Sequence, residues 1–209
     1  MDFKDAILQL SERIEKQRDS ISTEEATKNA FIMPMISILG YDIFNPFEVV
    51  PEMDCDITKK KGEKIDYAIM KGDEPIILIE SKHCKQNLNL HETQLKKYFV
   101  ASNARFGVLT NGIEYNFYTD LDKANIMDDK PFLVVNMLNL SDNDIEQLKK
   151  FHKSYYNEQE ILSIAAQLQI ILAIKELIIN DFQNPSPEFV RYFIRERSDP
   201  EYTPIIESP

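Results

Sequence analysis

The chain has 209 residues, 28% of them charged and 43% hydrophobic, with a formal net charge of −11. That length suffices for one domain with a good core plus extra helices, and the composition excludes a disordered chain. Two cysteines are too few for a disulfide framework, and the start MDFKDAILQL lacks both a basic region and an apolar export segment, so a reducing, cytoplasmic setting is expected.

Phe3, Ile7, Leu10 and Ile14 fall at helical spacing among charged residues, which predicts an amphipathic helix with one packing stripe. Ser22 with Glu25 fits a capping box, opening a second helix that runs to Gly40 and is kinked at Pro34. Capping accounts for Glu25 and leaves Glu24 without a local role. Tyr41 to Val50 predicts the first strand, bent or at an edge because of Asn45-Pro46. Lys59, Lys60, Lys61 and Lys64 then supply either a phosphate-facing edge or a solvated loop.

The stretch Ile65 to Lys82 reads IDYAIMKGDEPIILIESK, two strand-like runs around a Gly-Asp turn. Three charges, Asp66, Glu80 and Lys82, sit inside these apolar runs. Strand alternation puts Glu80 and Lys82 on one face. If Gly72, Asp73 and Glu74 form a three-residue loop, Lys71 faces Pro75 and Asp66 lies opposite Glu80, with Cβ atoms about 5 Å apart. Both carboxylates could then bind one hard cation; a two-residue loop would shift the register by one and separate them. The other reading is a structural ion pair, Glu80 with Lys82 or Asp66 with Lys64, at a strand end near solvent.

Asn89 with Glu92 predicts a helix to about Asn103, on which Gln94 and Tyr98 share a face with His91 one turn earlier. The spacings of His83, Cys84, His91 and Cys55 do not fit a structural zinc site, and no orienting group makes Cys84 a nucleophile. FGVLT and EYNFY bracket Asn111-Gly112, a strong hairpin signal; Ile113 and Glu114 stand where a phosphate-binding loop needs Lys and Ser or Thr. PFLVVNM predicts a further strand, Ser141 to His152 a helix, and Asn157 to Asn180 a long helix apolar nearly all round. That helix is almost long enough to span a membrane, but Gln167, Gln169, Lys175 and Glu176 interrupt it, so a buried or partner-docking role is expected, with no membrane. Ser186-Pro187-Glu188 opens a last helix before a loose tail.

Asp66 followed by Glu80-x-Lys82 on a hairpin resembles the PD-(D/E)xK nucleases, and Gln94-x-x-x-Tyr98 just after it is similar to a signature of their recombination-type branch. Glu24 with Thr27, the hairpin and the VLTNG strand together resemble the N-terminal region of type I restriction enzyme R subunits, over roughly Glu24 to Met137. The resemblance implies an α/β fold with a restriction-endonuclease-like core, a mixed β-sheet flanked by helices, over residues 1–140. Residues 141–209 would add a C-terminal helical extension that packs on the core or on a partner.

The activity it implies is metal-dependent hydrolysis of DNA phosphodiester bonds. Asp66, Glu80 and the carbonyl of Ser81 would hold Mg²⁺ or Mn²⁺, Glu24 would act as a third carboxylate, and Lys82 would be the catalytic amine. Gln94, Tyr98 and Lys64 would face the substrate. The chain has no Walker motif, which departs from full R subunits, so a nuclease domain without a motor is expected. The net charge opposes a nucleic-acid partner, yet between Ile57 and Arg105 there are 10 Lys or Arg against 6 Asp or Glu, and the rest carries 14 against 29. The competing reading is a catalytically silent nucleic-acid-binding or assembly module of a restriction or phage-defence system, with a protein partner or a second copy on the C-terminal helices.

Overall fold

The computed structural model describes residues 2–54, 64–88 and 92–196. Cys55, Lys59, Lys60, Lys61, Asn89, His91 and the tail lie outside the described residues. The chain divides into two compact units, Met1–Ala166 and Gln167–Pro209.

The first unit is built on one six-stranded sheet in the order β1 (Val49–Asp54), β2 (Lys64–Lys71), β3 (Glu74–Ser81), β4 (Phe106–Thr110), β5 (Glu114–Tyr118), β6 (Leu133–Asn136). Neighbours are antiparallel except β3 and β4, whose parallel pairing needs a crossover, supplied by helix α4 (Glu92–Ala101). Leu95 and Phe99 of α4 join Ala68, Leu78 and Leu109 in one core layer. Against the sheet also lie Met35 and Ile36, which line a small apolar cavity with Ile69, Ile77, Ile79 and Val108. Helix α1 (Phe3–Gln17) buries Ile7, Leu10 and Ile14 as its stripe predicts.

The first strand begins later than expected. Residues 41–48 are turns because Asp42 and Asn45 accept from the backbone N–H groups of Phe44 and Phe47, a local pairing that competes with a ladder. The strand that follows does lie at the sheet edge.

The hairpin turn also differs. Lys71 lies opposite Glu74, so the loop is the two-residue Gly72-Asp73, with Gly72 at φ 64°, the left-handed conformation such turns require. Alone, this would displace the register as feared. A bulge between Ile69 and Met70 offsets it: Met70 faces Pro75, but Ile69 faces Ile77 and Tyr67 faces Ile79. Ile76 is the extra residue, and the continued register sets Asp66 opposite Glu80.

The second helix opens one residue later than the capping-box reading has it. Thr23, not Ser22, is the N-cap, its hydroxyl accepting from Ala26 N–H at 3.0 Å. Thr23→Ala is therefore expected to lower stability by about 1 kcal/mol, read as a lower urea midpoint at unchanged slope, with Ser22→Ala neutral. The segment is α2 (Glu24–Thr27), a π-helical turn (Lys28–Ile32) and α3 (Met33–Ile38). The π turn, with Met33 N–H bonding the Lys28 carbonyl, precedes Pro34, so the winding changes just ahead of the proline where a kink is expected. Gly40 follows the helix end, and Gly40 and Tyr41 N–H groups close on Ser37 and Ile36.

The Asn111-Gly112 hairpin forms as predicted, the Asn111 side chain accepting from Ile113 and Glu114 N–H. Ser141 and Asp144 make a reciprocal capping box for α5 (Asp142–Lys149), which stops short of His152. Helix α6 (Glu158–Gln183) starts in the first unit, where it buries Ile161 and Ala165. It is long and apolar enough to cross a membrane by length and composition. In the second unit the Ser186 hydroxyl accepts from Phe189 N–H at the start of α7 (Pro187–Glu196), and Phe182 meets Phe189 edge-on at 5.3 Å.

Candidate active site

Four segments converge at the end of the β2–β3 hairpin: the start of α2, the π turn, the first half of β2 and the last residues of β3. Lys82 N–H bonds the Thr110 carbonyl at 2.8 Å, which fixes the end of β3 against β4. The Thr27 hydroxyl accepts from Cys84 N–H at 3.1 Å and ties α2 to the segment just beyond.

Glu80 is 2% exposed. One carboxylate oxygen accepts from Lys82 Nζ at 2.5 Å, while the other, Oε2, is buried without a partner. Burial pushes this carboxyl from the ordinary 4.5 up to about 7; the nearby Asp66 charge adds to the push, Lys82 opposes it, and Glu24 contributes in the same sense as Asp66. A buried carboxylate oxygen with nothing to accept from is costly and calls for a cation or a proton.

Asp66 is fully engaged. Its Oδ2 accepts from the backbone N–H of Ser81 at 2.7 Å and from the Ser81 hydroxyl at 2.6 Å, and its Oδ1 from Lys28 Nζ at 2.5 Å. Lys28 also stands 3.9 Å from Glu24 and 4.0 Å from Glu25. Burial pulls the Lys28 ammonium down, but its hydrogen bond to Asp66 and the surrounding acids outweigh that and hold it above the ordinary value.

The structure thus gathers Glu24, Asp66, Glu80, Ser81 and Lys82, five of the residues that the sequence singles out. Lys64 and Gln94 lie together beside them: Gln94 Nε2 donates to the Lys64 carbonyl at 2.9 Å, and Lys64 Nζ sits 3.3 Å from Glu52. Lys64 therefore pairs with Glu52, not with Asp66. Tyr98, expected at the substrate, is 4% exposed in the core layer with Ala68, Leu78 and Phe99, where its ring packs.

Lys28 and the Ser81 hydroxyl were not anticipated. The only signal for Lys28 is its place four residues after Glu24 on the helix, a spacing that brings side chains together.

Among the described residues, no three His, Cys, Asp or Glu side chains are gathered to hold a metal by themselves. The donors present nevertheless fit Mg²⁺ or Mn²⁺. These are hard cations that take oxygen ligands, and Mg²⁺ is commonly held by one or two carboxylates with water completing the shell. Glu80 Oε2, buried and unpartnered opposite Asp66, is the oxygen such an ion would satisfy.

A mixed α/β sheet flanked by helices, with an acidic pair and a lysine on its hairpin, is consistent with a restriction-endonuclease-like fold. Residues 44–126 match the family model for the type I restriction enzyme R protein N terminus, and over this stretch the chain resembles the nuclease domain of those subunits. The matched stretch spans the β2–β3 hairpin, and the match supports a nuclease-type role of the restriction-enzyme kind. No curated protein and no solved structure matches the chain.

Proposed function

We propose that this protein is a metal-dependent endonuclease that hydrolyses DNA phosphodiester bonds. The observation that carries the reading is Glu80 Oε2, held buried and unpartnered opposite Asp66 and beside Lys82. The family match supports DNA as the substrate class, since it is to part of a restriction enzyme.

Asp66, Glu80 and the Ser81 carbonyl would hold Mg²⁺ or Mn²⁺, with Glu24 reaching it through water. The ion, when bound, supplies a more acidic water and neutralises charge on the phosphate. Ser81 orients Asp66 through two hydrogen bonds. Lys82 clamps Glu80 Oε1 and presents an ammonium to the charge that develops on the phosphate oxygens. Lys64, at the start of β2, and Gln94, on α4, would lie on the substrate side.

The nuclease core on this reading is residues 1–140, acting in the cytoplasm, and residues 141–209 are a helical extension that docks a partner or a second copy. In the second unit, Ile170, Leu177 and Phe182 are exposed apolar side chains, the kind of surface that docking covers.

Supercoiled plasmid incubated with the protein is expected to be nicked or linearised with Mg²⁺ or Mn²⁺ and to stay intact with EDTA. Lys82→Ala should cut at least about 100-fold more slowly. Cleavage that survives EDTA, or that proceeds at the parental rate in Lys82→Ala, would overturn the assignment.

A further inference from the structure

The two oxygens of Asp66 are held in different ways. Oδ2 is fixed by Ser81, through a main-chain N–H and a short side chain on the paired strand. Among the described residues, Oδ1 is held by Lys28 alone, a four-carbon stem rooted at the start of the π turn. The Lys28 side chain is 15% exposed, and its ammonium has two further carboxylates, Glu24 and Glu25, at 3.9 and 4.0 Å. One positive charge therefore sits among three acids contributed by two elements. Across the hairpin, Glu80 Oε2 is buried and empty-handed.

We propose that Lys28 is a built-in cation that keeps Asp66 Oδ1 until a divalent ion replaces it, so that metal entry and Lys28 release are one exchange. The inference rests on the metal-dependent reading of the site. An oxygen that binds an ion at about 2.1 Å keeps an ammonium at 2.5 Å only at a cost, because the two cations would be held within a few Å of each other and repel at that distance. Ser81 cannot yield readily, since its N–H is part of the hairpin. Lys28 can: a lysine ammonium is a compact point charge on a flexible stem. Its next partners, Glu24 and Glu25, already stand within reach one turn back on the same helix.

The exchange gives Lys28 two effects. Before the ion arrives, it pairs with Asp66, the charge that disfavours the charged form of Glu80. When the ion arrives, it competes, so the protein binds divalent cations more weakly than the bare acids would.

The test is calorimetric titration of the full chain with Mn²⁺ in the absence of DNA, on the parent, Lys28→Met, Lys28→Arg and Asp66→Asn, each first checked by thermal melting in EDTA. Lys28→Met is expected to bind Mn²⁺ about tenfold more tightly, Lys28→Arg to stay within about threefold of the parent because it restores the competing charge, and Asp66→Asn to lose the binding. Parent-like or weaker binding by Lys28→Met, with Asp66→Asn still defective, would overturn the role of Lys28 and leave the metal site standing. Parent-like binding by Asp66→Asn would remove the metal site and the exchange together. Should Lys28→Met fail to fold, the parent itself gives the answer: labelling of Lys28 by an amine-reactive ester, read by mass spectrometry, should rise severalfold on adding Mn²⁺, and an unchanged yield would overturn the exchange.

Discussion

Glu80→Gln is expected to melt above the parent at pH 8 in EDTA and to lose metal-dependent cleavage by about 10³-fold. The stability gain follows from linkage. The Glu80 carboxyl titrates at about 7 in the folded protein against an ordinary value of 4.5, so the folded state holds its proton more tightly than the unfolded chain does. Stability is therefore full below pH 4.5, falls as pH rises towards 7, and is flat above it. The loss amounts to about 3 kcal/mol. Glutamine keeps the shape, can still accept from Lys82, and carries no charge to bury, so its advantage is present at pH 8 and gone near pH 4.5. Melting curves at the two pH values decide it. A Glu80→Gln protein that melts below the parent at pH 8 would mean that the Lys82 pairing outweighs the burial of the charge.

Gly112→Ala is expected to cost about 3 kcal/mol, a fall of about 10 °C in Tm for a chain of this size. Gly112 has φ 78°, and a methyl group there would lie 2.8 Å from Phe31 Cβ, 3.0 Å from Phe31 Cδ2 and 3.2 Å from Thr27 Cγ2. Those atoms belong to the helix that carries Glu24 and Lys28, and its retreat would also strain the Thr27 bond to Cys84. Metal affinity should fall with stability. Gly72→Ala is the control: φ is 64° but nothing lies within 4 Å of the added methyl, so only the backbone term of about 1 kcal/mol applies. Equal losses at the two glycines would refute the packing argument.

The amphipathic stripe of α1, the Asn-Gly hairpin and the alternation that puts Glu80 and Lys82 on one face are local patterns, and they were legible. What escaped depended on partners distant in sequence. Asp42 and Asn45 turned part of an apparent strand into turns because their own side chains satisfied its N–H groups. Lys28 reads as a solvated helix residue until β2 brings Asp66 to it. Tyr98 and Gln94 share a helix face by spacing, but the sheet buries the ring and leaves the amide to the Lys64 carbonyl. Of the two loop lengths the sequence allows, the shorter is found, and Asp66 and Glu80 still face each other, because alternation on either side of a bulge gives no sign of the extra residue between.

That extra residue has a consequence for how the protein can change. Ile76 acts as a slack joint between the hairpin tip and its base, so gains or losses of chain at the tip can be absorbed before they reach the acids. The outer end of the hairpin is thereby released to drift in length and composition over generations, while the chemistry at its root stays in step.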